Sequence, residues 1–370
     1  MAIPSLALIP TGFKDGKLYS VLPESGAGDF DVVRGSGATR VNKDGLIELI
    51  TDTNTPRLDY TDGGCPSLLL EPQSTNLVTY SEDFSQWSAS GTPVVTLNYG
   101  VSPDGTQNGT RIEFDADERI RSNFSASGDF TFSVYLKGSG VITLRDNTNV
   151  HRQNVTLTSN WVRYDLSFNA TITSVQIQNQ NAGAVDCEIY GAQIEALPYA
   201  TSYIPTSGAI ATRLADAVTG AGDATTFNST EGVLYAEATV ENTGAFKTMI
   251  RLTATDTSTS DGLWIYARSN NQLQGVLRVG SVDQVALTSP LTYSGFVKVA
   301  FKYKENEFAL WINGAEVVSD TSGAVFSANT LSKLGLKLGT NTNPFFGKVK
   351  DLRTYNTALT DAELLTLTTI

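Results

Sequence analysis

Apolar and polar residues alternate in short runs along most of this chain. In "DFTFSVYLKG", Phe130, Phe132, Val134 and Leu136 fall on one face, and Thr131, Ser133, Tyr135 and Lys137 on the other. "ITSVQIQNQ" repeats the pattern, with Gln176 and Gln178 opposite Val175 and Ile177. A period of two with one apolar face is that of a half-buried strand. "NWVRYDLSF" and "CEIYGAQIEA" are further candidates, and with frequent turn signals they predict an antiparallel sandwich over 74–205. Strands resume at 229 with "GVLYAEATVE", "KTMIRLTA", "GLWIYARS", "QLQGVLRVG", "GFVKVAFKYKENEFALWINGAEVV", "LSKLGLKLG" and "FFGKVKDLRTY", a second sandwich over 229–370. Asn313-Gly314 within them is a strong hairpin signal. Only "TDAELLTL" reads as helix, with Thr360 and Glu363 at the spacing of a capping box. The predicted class is all-β, two antiparallel jelly rolls.

Two stretches stand outside this pattern. Residues 1–73 hold short apolar pieces broken by Gly, Pro and Asp, with no sustained period. Such a segment buries little by itself, so it is expected to be an attachment or oligomerisation segment that packs on other domains or subunits. Residues 206–228, rich in Ala, Thr and Gly, are expected to link the two sandwiches.

Composition narrows the possible partners. Of 370 residues 41% are hydrophobic, enough for a core, and only 17% are charged. The formal charge of −12 disfavours nucleic acid and anionic membranes. No apolar run reaches the ~20 residues of a membrane span. The start, "MAIPSLALIPTGFKDGK", lacks a signal peptide's basic region, so synthesis and folding in a cytoplasm are expected. The sequons at Asn108, Asn154, Asn169 and Asn228 then carry no glycan. Cys65 and Cys187 lie far apart without metal-ligand spacing and read as free thiols, buried or partly buried.

Few residues suggest catalysis. "EFDADE", Glu113 to Glu118, offers carboxylates of the kind a retaining glycosidase sets ~5 Å apart. Glu113 and Asp115 share a face, and a bulge would bring Glu118 alongside. A solvated acidic edge or loop, with Arg119 and Arg121 pairing to it, is the simpler reading of the run. His151 is the only histidine and has no nucleophile motif nearby. "DTSTSDG", Asp256 to Gly262, begins like a calcium loop, but Ala267 stands where an EF-hand needs glutamate. No metal, cofactor or catalytic residue is expected.

Binding chemistry is better represented. An aromatic ring packs on the apolar face of a sugar, while neutral amides suit hydroxyls. Tyr135, Lys137, Gln176 and Gln178 are the candidate groove of the first sandwich. Trp264, Tyr266 and Tyr293 are candidates in the second, while Trp87, Trp161 and Trp311 are expected in cores.

The segments "EFALWINGAEV" and "GKVKDLRTYNTALTDAELLTL" resemble the laminin-G-like, concanavalin A-like lectin fold. The resemblance rests on Gly347, Val349, Asp351, Arg353, Tyr355, Asn356, Ala358, Leu359, Thr360 and Glu363, and covers 229–370. It implies a closing strand that completes a two-sheet jelly roll and caps one edge. "NLVTYSEDFSQWSAS" and "GAQIEALPYATSYIPTSGAIATRLAD" resemble the ends of a galactose-binding-like jelly roll of carbohydrate-binding modules. Taken together, 38–87, 192–216 and 229–370 are similar to bacteriophage virion proteins of the fibre or decoration type. That resemblance implies a homotrimer, other virion proteins as partners, and host attachment through surface glycans. A decoration protein without ligand and a polysaccharide depolymerase are the alternatives.

Overall fold

The computed structural model describes residues 2–14, 16–241, 244–339 and 343–370. Strands dominate, as the alternation predicts; among the described residues the α-helix is Asp361–Thr368. The chain divides into two compact units, one of 1–35, 52–72 and 216–370, the other of 36–51 and 73–215.

The first unit is a two-sheet sandwich. An eight-stranded sheet runs Ala315–Asp320, Glu307–Ile312, Gly295–Lys304, Glu231–Val240, Gly347–Tyr355, Ser67–Leu70, Leu58–Asp59, with Leu6–Leu8 also paired to Gly347–Tyr355. The facing sheet orders Val282–Thr292, Gln272–Val279, Gly262–Ala267, Lys247–Thr253 and Lys333–Gly335. Their inner residues share one core, with Leu234, Val299, Phe301 and Leu352 from one sheet and Ile250, Leu263, Ile265 and Leu277 from the other. Gly275 marks a close approach of the layers: a Cβ there would meet the Phe301 ring at 3.1 Å. Asn313 and Gly314 take φ of 49° and 83°, the left-handed pair of a type I′ turn. Thr360 caps the helix, and Glu363 returns the bond to the cap's N–H. Leu364 and Leu367 pack that helix against Val233, Tyr235, Ala300 and Trp311.

Two expectations change here. The closing strand Gly347–Tyr355 is interior, paired with Glu231–Val240 on one side and with Leu6–Leu8 and Ser67–Leu70 on the other. The edge that the resemblance left open is filled from the N-terminus. Residues 1–73 therefore do not form a separate irregular segment. Leu6, Leu8, Leu18, Phe30, Leu58, Leu68 and Leu70 belong to the first unit's core. Residues 36–51, which contain the hairpin Ala38–Val41 with Ile47–Ile50, belong to the second unit. Each apolar piece is too short to show a period; Leu6–Leu8, Leu58–Asp59 and Ser67–Leu70 add strands to a sheet built from distant sequence, while among the described residues Ala38–Val41 and Ile47–Ile50 pair only with each other.

The expected linker is also structured. Ala211–Arg213 pairs with Ser74–Asn76 in the second unit, and Ala217–Thr219 with Phe30–Val33 in the first. Asp216 lies between two fully buried arginines. Its Oδ1 accepts from Arg34 Nη1 at 2.9 Å, and Oδ2 from Arg57 and from the Glu71 N–H. Arg57 also pairs with Glu71 at 2.6 Å.

The second unit is built on one eight-stranded sheet, ordered Val94–Gly100, Gly109–Phe114, Val185–Glu195, Arg119–Gly138, Val162–Gln178, Val141–Asp146 and Arg152–Thr156, with Ser88–Ser90 beside Arg119–Gly138. The long strands Arg119–Gly138 and Val162–Gln178 pair over nearly their full length, with a register shift between Asn123 and Ala126. Both halves of each send residues to one core: Ile120 with Phe132 and Val134, and Phe168 with Val175 and Ile177. The shift lets one alternating strand keep its apolar side inward after it bends.

Candidate functional site

In the first unit, the outer face of the five-stranded sheet carries aromatic and polar side chains in register. Thr248, Tyr266, Gln274 and Thr288 form one row across four strands. Gln274 Nε2 donates to Thr288 Oγ1 at 2.9 Å. Phe246 meets the Tyr266 ring edge-on at 6.1 Å and lies under the Arg268 guanidinium at 5.8 Å. Phe246 is exposed, while Tyr266, Arg268 and Gln274 are half-buried. Burial pushes the Tyr266 phenol up to about 12, so its hydroxyl stays protonated at neutral pH. The face thus presents one open ring, one half-open phenol, a guanidinium and an amide.

Trp264 is not a platform on this face. It is 1% exposed, packed with Val276, Leu338 and Tyr266 under the Arg278 guanidinium. Arg278 in turn is held by Asp283 at 2.5 Å. Tyr266 is accessible where Trp264 is not, because the next row of the sheet is closed over. Tyr293 is half-buried against the core, its hydroxyl 3.2 Å from Ser289 Oγ.

Lys247 sits one residue from Phe246 and is buried, with its Nζ 3.4 Å from the Glu241 carbonyl. Burial lowers its pKa to about 8. Below that pH the folded state holds a buried charge that the unfolded chain solvates. Between about 8 and 10.5 the unfolded chain binds more protons, so stability rises with pH. Lys247→Met should stabilise the protein by roughly 2 kcal/mol at pH 7. Urea melts at pH 7 and pH 10 should show that gain shrinking at the higher pH; an equal gain at both would contradict the assignment.

In the second unit the four predicted groove residues separate. Tyr135 opposes Arg163, whereas Gln176 opposes Arg121 at the other end of the same strand pair. Tyr135 packs on Tyr190 at 6.1 Å under the Arg163 guanidinium. Lys137 pairs with Glu188 at 2.8 Å and lies over the Trp161 ring. Trp161 is therefore half-exposed on the outer face and donates to the Val101 carbonyl, while Trp87 and Trp311 are buried as expected. Gln176 and Gln178 are buried. Their outward side is real, but neighbouring long side chains cover them.

Beside Tyr135 lies a polar cluster the alternation did not reveal. Tyr203 donates to Glu82 Oε1 at 2.8 Å and Tyr190 to Asp104 Oδ2 at 3.1 Å. Ile47 of the N-terminal hairpin packs on both tyrosines. Burial raises the Glu82 pKa; for Asp104 the burial effect is outweighed by bonds from Thr106, Ser102 and Asn108, and its pKa falls. These groups satisfy each other and serve as framework.

The candidate catalytic residues are likewise engaged. Glu118 accepts from the N–H groups of Thr92 and Asp115 at 2.5 and 2.9 Å, and Glu113 pairs with Arg111 at 3.0 Å. Arg111 thus takes the role expected of Arg119 and Arg121. His151 stacks on Phe168 and its Nδ1 lies 2.9 Å from Asp146 Oδ2. Asp256 accepts from the Gly220 N–H at 3.1 Å, and Asp261 from the Gly280 N–H at 2.8 Å. Cys187 is buried and free, and Cys65 is exposed rather than sheltered.

Residues 223–365 match the family described as the concanavalin A-like lectin/glucanases superfamily. The C-terminal part of the first unit is thus a domain of that type. No curated protein matches the chain. Similar solved structures include the CBM40 of an IT-sialidase from Ruminococcus gnavus, at 19% identity and TM-score 0.34, covering 38% of this chain and 84% of that one. Domain 4 of an extracellular GH43 arabinanase from Geobacillus stearothermophilus, solved with arabinotriose, has 19% identity and TM-score 0.32 over 46% and 82%. A carbohydrate-binding protein from Bacteroides ovatus, so described provisionally, has 12% identity and TM-score 0.30 over 70% and 80%.

Proposed function

We propose that this chain is a non-catalytic glycan-binding protein of a bacteriophage virion surface, used for host attachment. The observation that carries the glycan reading is the Phe246–Tyr266–Arg268–Gln274 face on a domain of concanavalin A-like type. A pyranose ring would stack on Phe246, with Tyr266, Gln274 and Arg268 offering hydrogen bonds to its hydroxyls. The virion role and the homotrimer are supported by the resemblance of 38–87, 192–216 and 229–370 to phage fibre and decoration proteins. Such a shallow face binds weakly by itself. Several copies on one particle would raise the effective concentration by orders of magnitude.

A glycan array probed with the full chain, beside Phe246→Ala/Tyr266→Ala, tests the reading. The expected result is a restricted set of bound glycans whose signal falls about tenfold or more in the double variant. If no glycan is retained, and the protein is found lying flat in a virion lattice, it is a decoration protein. If the variant binds as well as the parent, the site lies elsewhere.

A further inference from the structure

The buried Gln176 and Gln178 belong to two polar rows that cross the second unit's sheet. One row is Ser88, Arg121, Gln176, Arg145 and Arg152, and the next is Ser90, Arg119, Gln178, Thr143 and Asn154. Each lies opposite the core-facing Ile120, Ile177, Ile142, Leu144 and Val155. Five strands at a spacing of about 4.8 Å make each row roughly 19 Å long. The two rows together gather four arginines, Arg119, Arg121, Arg145 and Arg152, on a chain whose net charge is −12.

These arginines are not balanced from within. Arg145 and Arg152 are direct cross-strand partners, an arrangement of like charges that disfavours the sheet. Among the described residues none of the four has a carboxylate within ion-pair distance. Of the flanking acids, Glu118 is held by the Thr92 and Asp115 N–H groups, and Asp146 turns its Oδ2 to His151 and Thr148 while its Oδ1 is buried without a hydrogen bond. Burial lowers the Arg145 pKa and the charge of Arg119 lowers it further; Asp146 pulls it back in part, and Arg152 adds the least to the lowering. Polar atoms also lack partners. The Nε atoms of Arg119 and Arg121 and the Oε1 of Gln176 are buried without a hydrogen bond, and Gln176 is only 3% exposed. Arg145 reaches Gln178 Oε1 at 2.7 Å, so the amides lie between the guanidinium groups. Arg152 is exposed and the other three are half-buried, so the row opens to solvent along one side.

We infer that this face is a second binding site, separate from the aromatic face, for a polysaccharide that carries carboxylates. Guanidinium groups bind carboxylates through two parallel hydrogen bonds. The exposed Asn154 and the half-buried Ser88 and Ser90 can meet the hydroxyls between the charged groups, while the buried Gln178 holds Arg145 in place. Nucleic acid fits less well, because a chain of this net charge repels a continuous run of phosphates.

Affinity electrophoresis of the full chain in polygalacturonate, hyaluronate and alginate, each beside its carboxyl-reduced form, tests the inference. At least one acidic polymer should retard the protein, and its reduced form should not. Arg121→Gln/Arg145→Gln, made in a Phe246→Ala/Tyr266→Ala background so that the aromatic face is silent, should weaken retardation about tenfold. The exposed Arg152→Gln, which removes no packing, should weaken it less and keep the parent melting temperature. Equal retardation by the reduced polymers, none by any acidic polymer, or no effect of the arginine substitutions would overturn the inference. So would equal retardation in dextran sulfate, which marks a general anion patch. With the aromatic face silenced in that background, these outcomes read the arginine rows alone, and the aromatic face is tested by its own variant.

Discussion

Replacing Asp216 with alanine should destabilise the first unit by about 3–5 kcal/mol. Arg34 and Arg57 are both fully buried, and Asp216 receives a hydrogen bond from each. Removing the carboxylate leaves Arg57 with Glu71 and takes from the buried Arg34 guanidinium the carboxylate it bonds in a low-dielectric interior. The Glu71 N–H loses its acceptor as well, and an unmade buried hydrogen bond costs about a further 1–3 kcal/mol. For a unit of this size the loss corresponds to a fall in melting temperature of roughly 10 °C. Denaturation followed by tryptophan fluorescence reads it out, since Trp264 and Trp311 lie in the first unit. A loss below about 1 kcal/mol, the range of exposed ion pairs, would mean that the Arg34–Asp216–Arg57 cluster contributes no more than a solvated surface pair.

The contrast between Asp216 and its surroundings marks what the sequence discloses. Alternation along "DFTFSVYLKG" identifies the face of each strand, and the structure keeps Phe130, Phe132, Val134 and Leu136 inside. Local signals are similarly legible: the Asn313-Gly314 turn and the Thr360–Glu363 capping box need only neighbouring residues. Cross-strand register is a different matter. Nothing in "RIRSNF", "ITSVQIQNQ" or "VITLRD" states that Arg121, Gln176 and Arg145 stand side by side. The same register sets Tyr135 opposite Arg163 and Gln176 opposite Arg121, at the two ends of a long strand pair, and so separates residues whose local patterns look alike. The N-terminal pieces fail for another reason. "SLALIP" is a three-residue strand, Leu6–Leu8, that acquires meaning only beside Leu352–Thr354. Exposure is the third property beyond reach: Trp264 and Tyr266 alternate on the same side of one strand, yet one is sealed and the other half-open.

Trp264→Ala is accordingly expected to act on folding, with a cost of about 3–5 kcal/mol. The indole fills the space between Val276, Leu338 and Tyr266, and alanine leaves a cavity that the paired strands on both sides, Lys247–Thr253 and Gln272–Val279, resist closing. The indole N–H has no hydrogen-bond partner. Trp264→Phe therefore loses no hydrogen bond, avoids leaving that donor buried, and gives up only part of the packing. Its cost should be nearer 1–2 kcal/mol. Tyr266→Ala should divide the other way, with a smaller loss of stability and a larger loss of glycan binding, because Tyr266 is half-open beside exposed Phe246. Measuring denaturation midpoints and glycan retention for all three variants separates the roles. If Trp264→Phe melts like the parent but no longer retains glycan, then the indole contacts ligand after all. The sheet face would in that case have to open at Leu338 to admit a sugar ring.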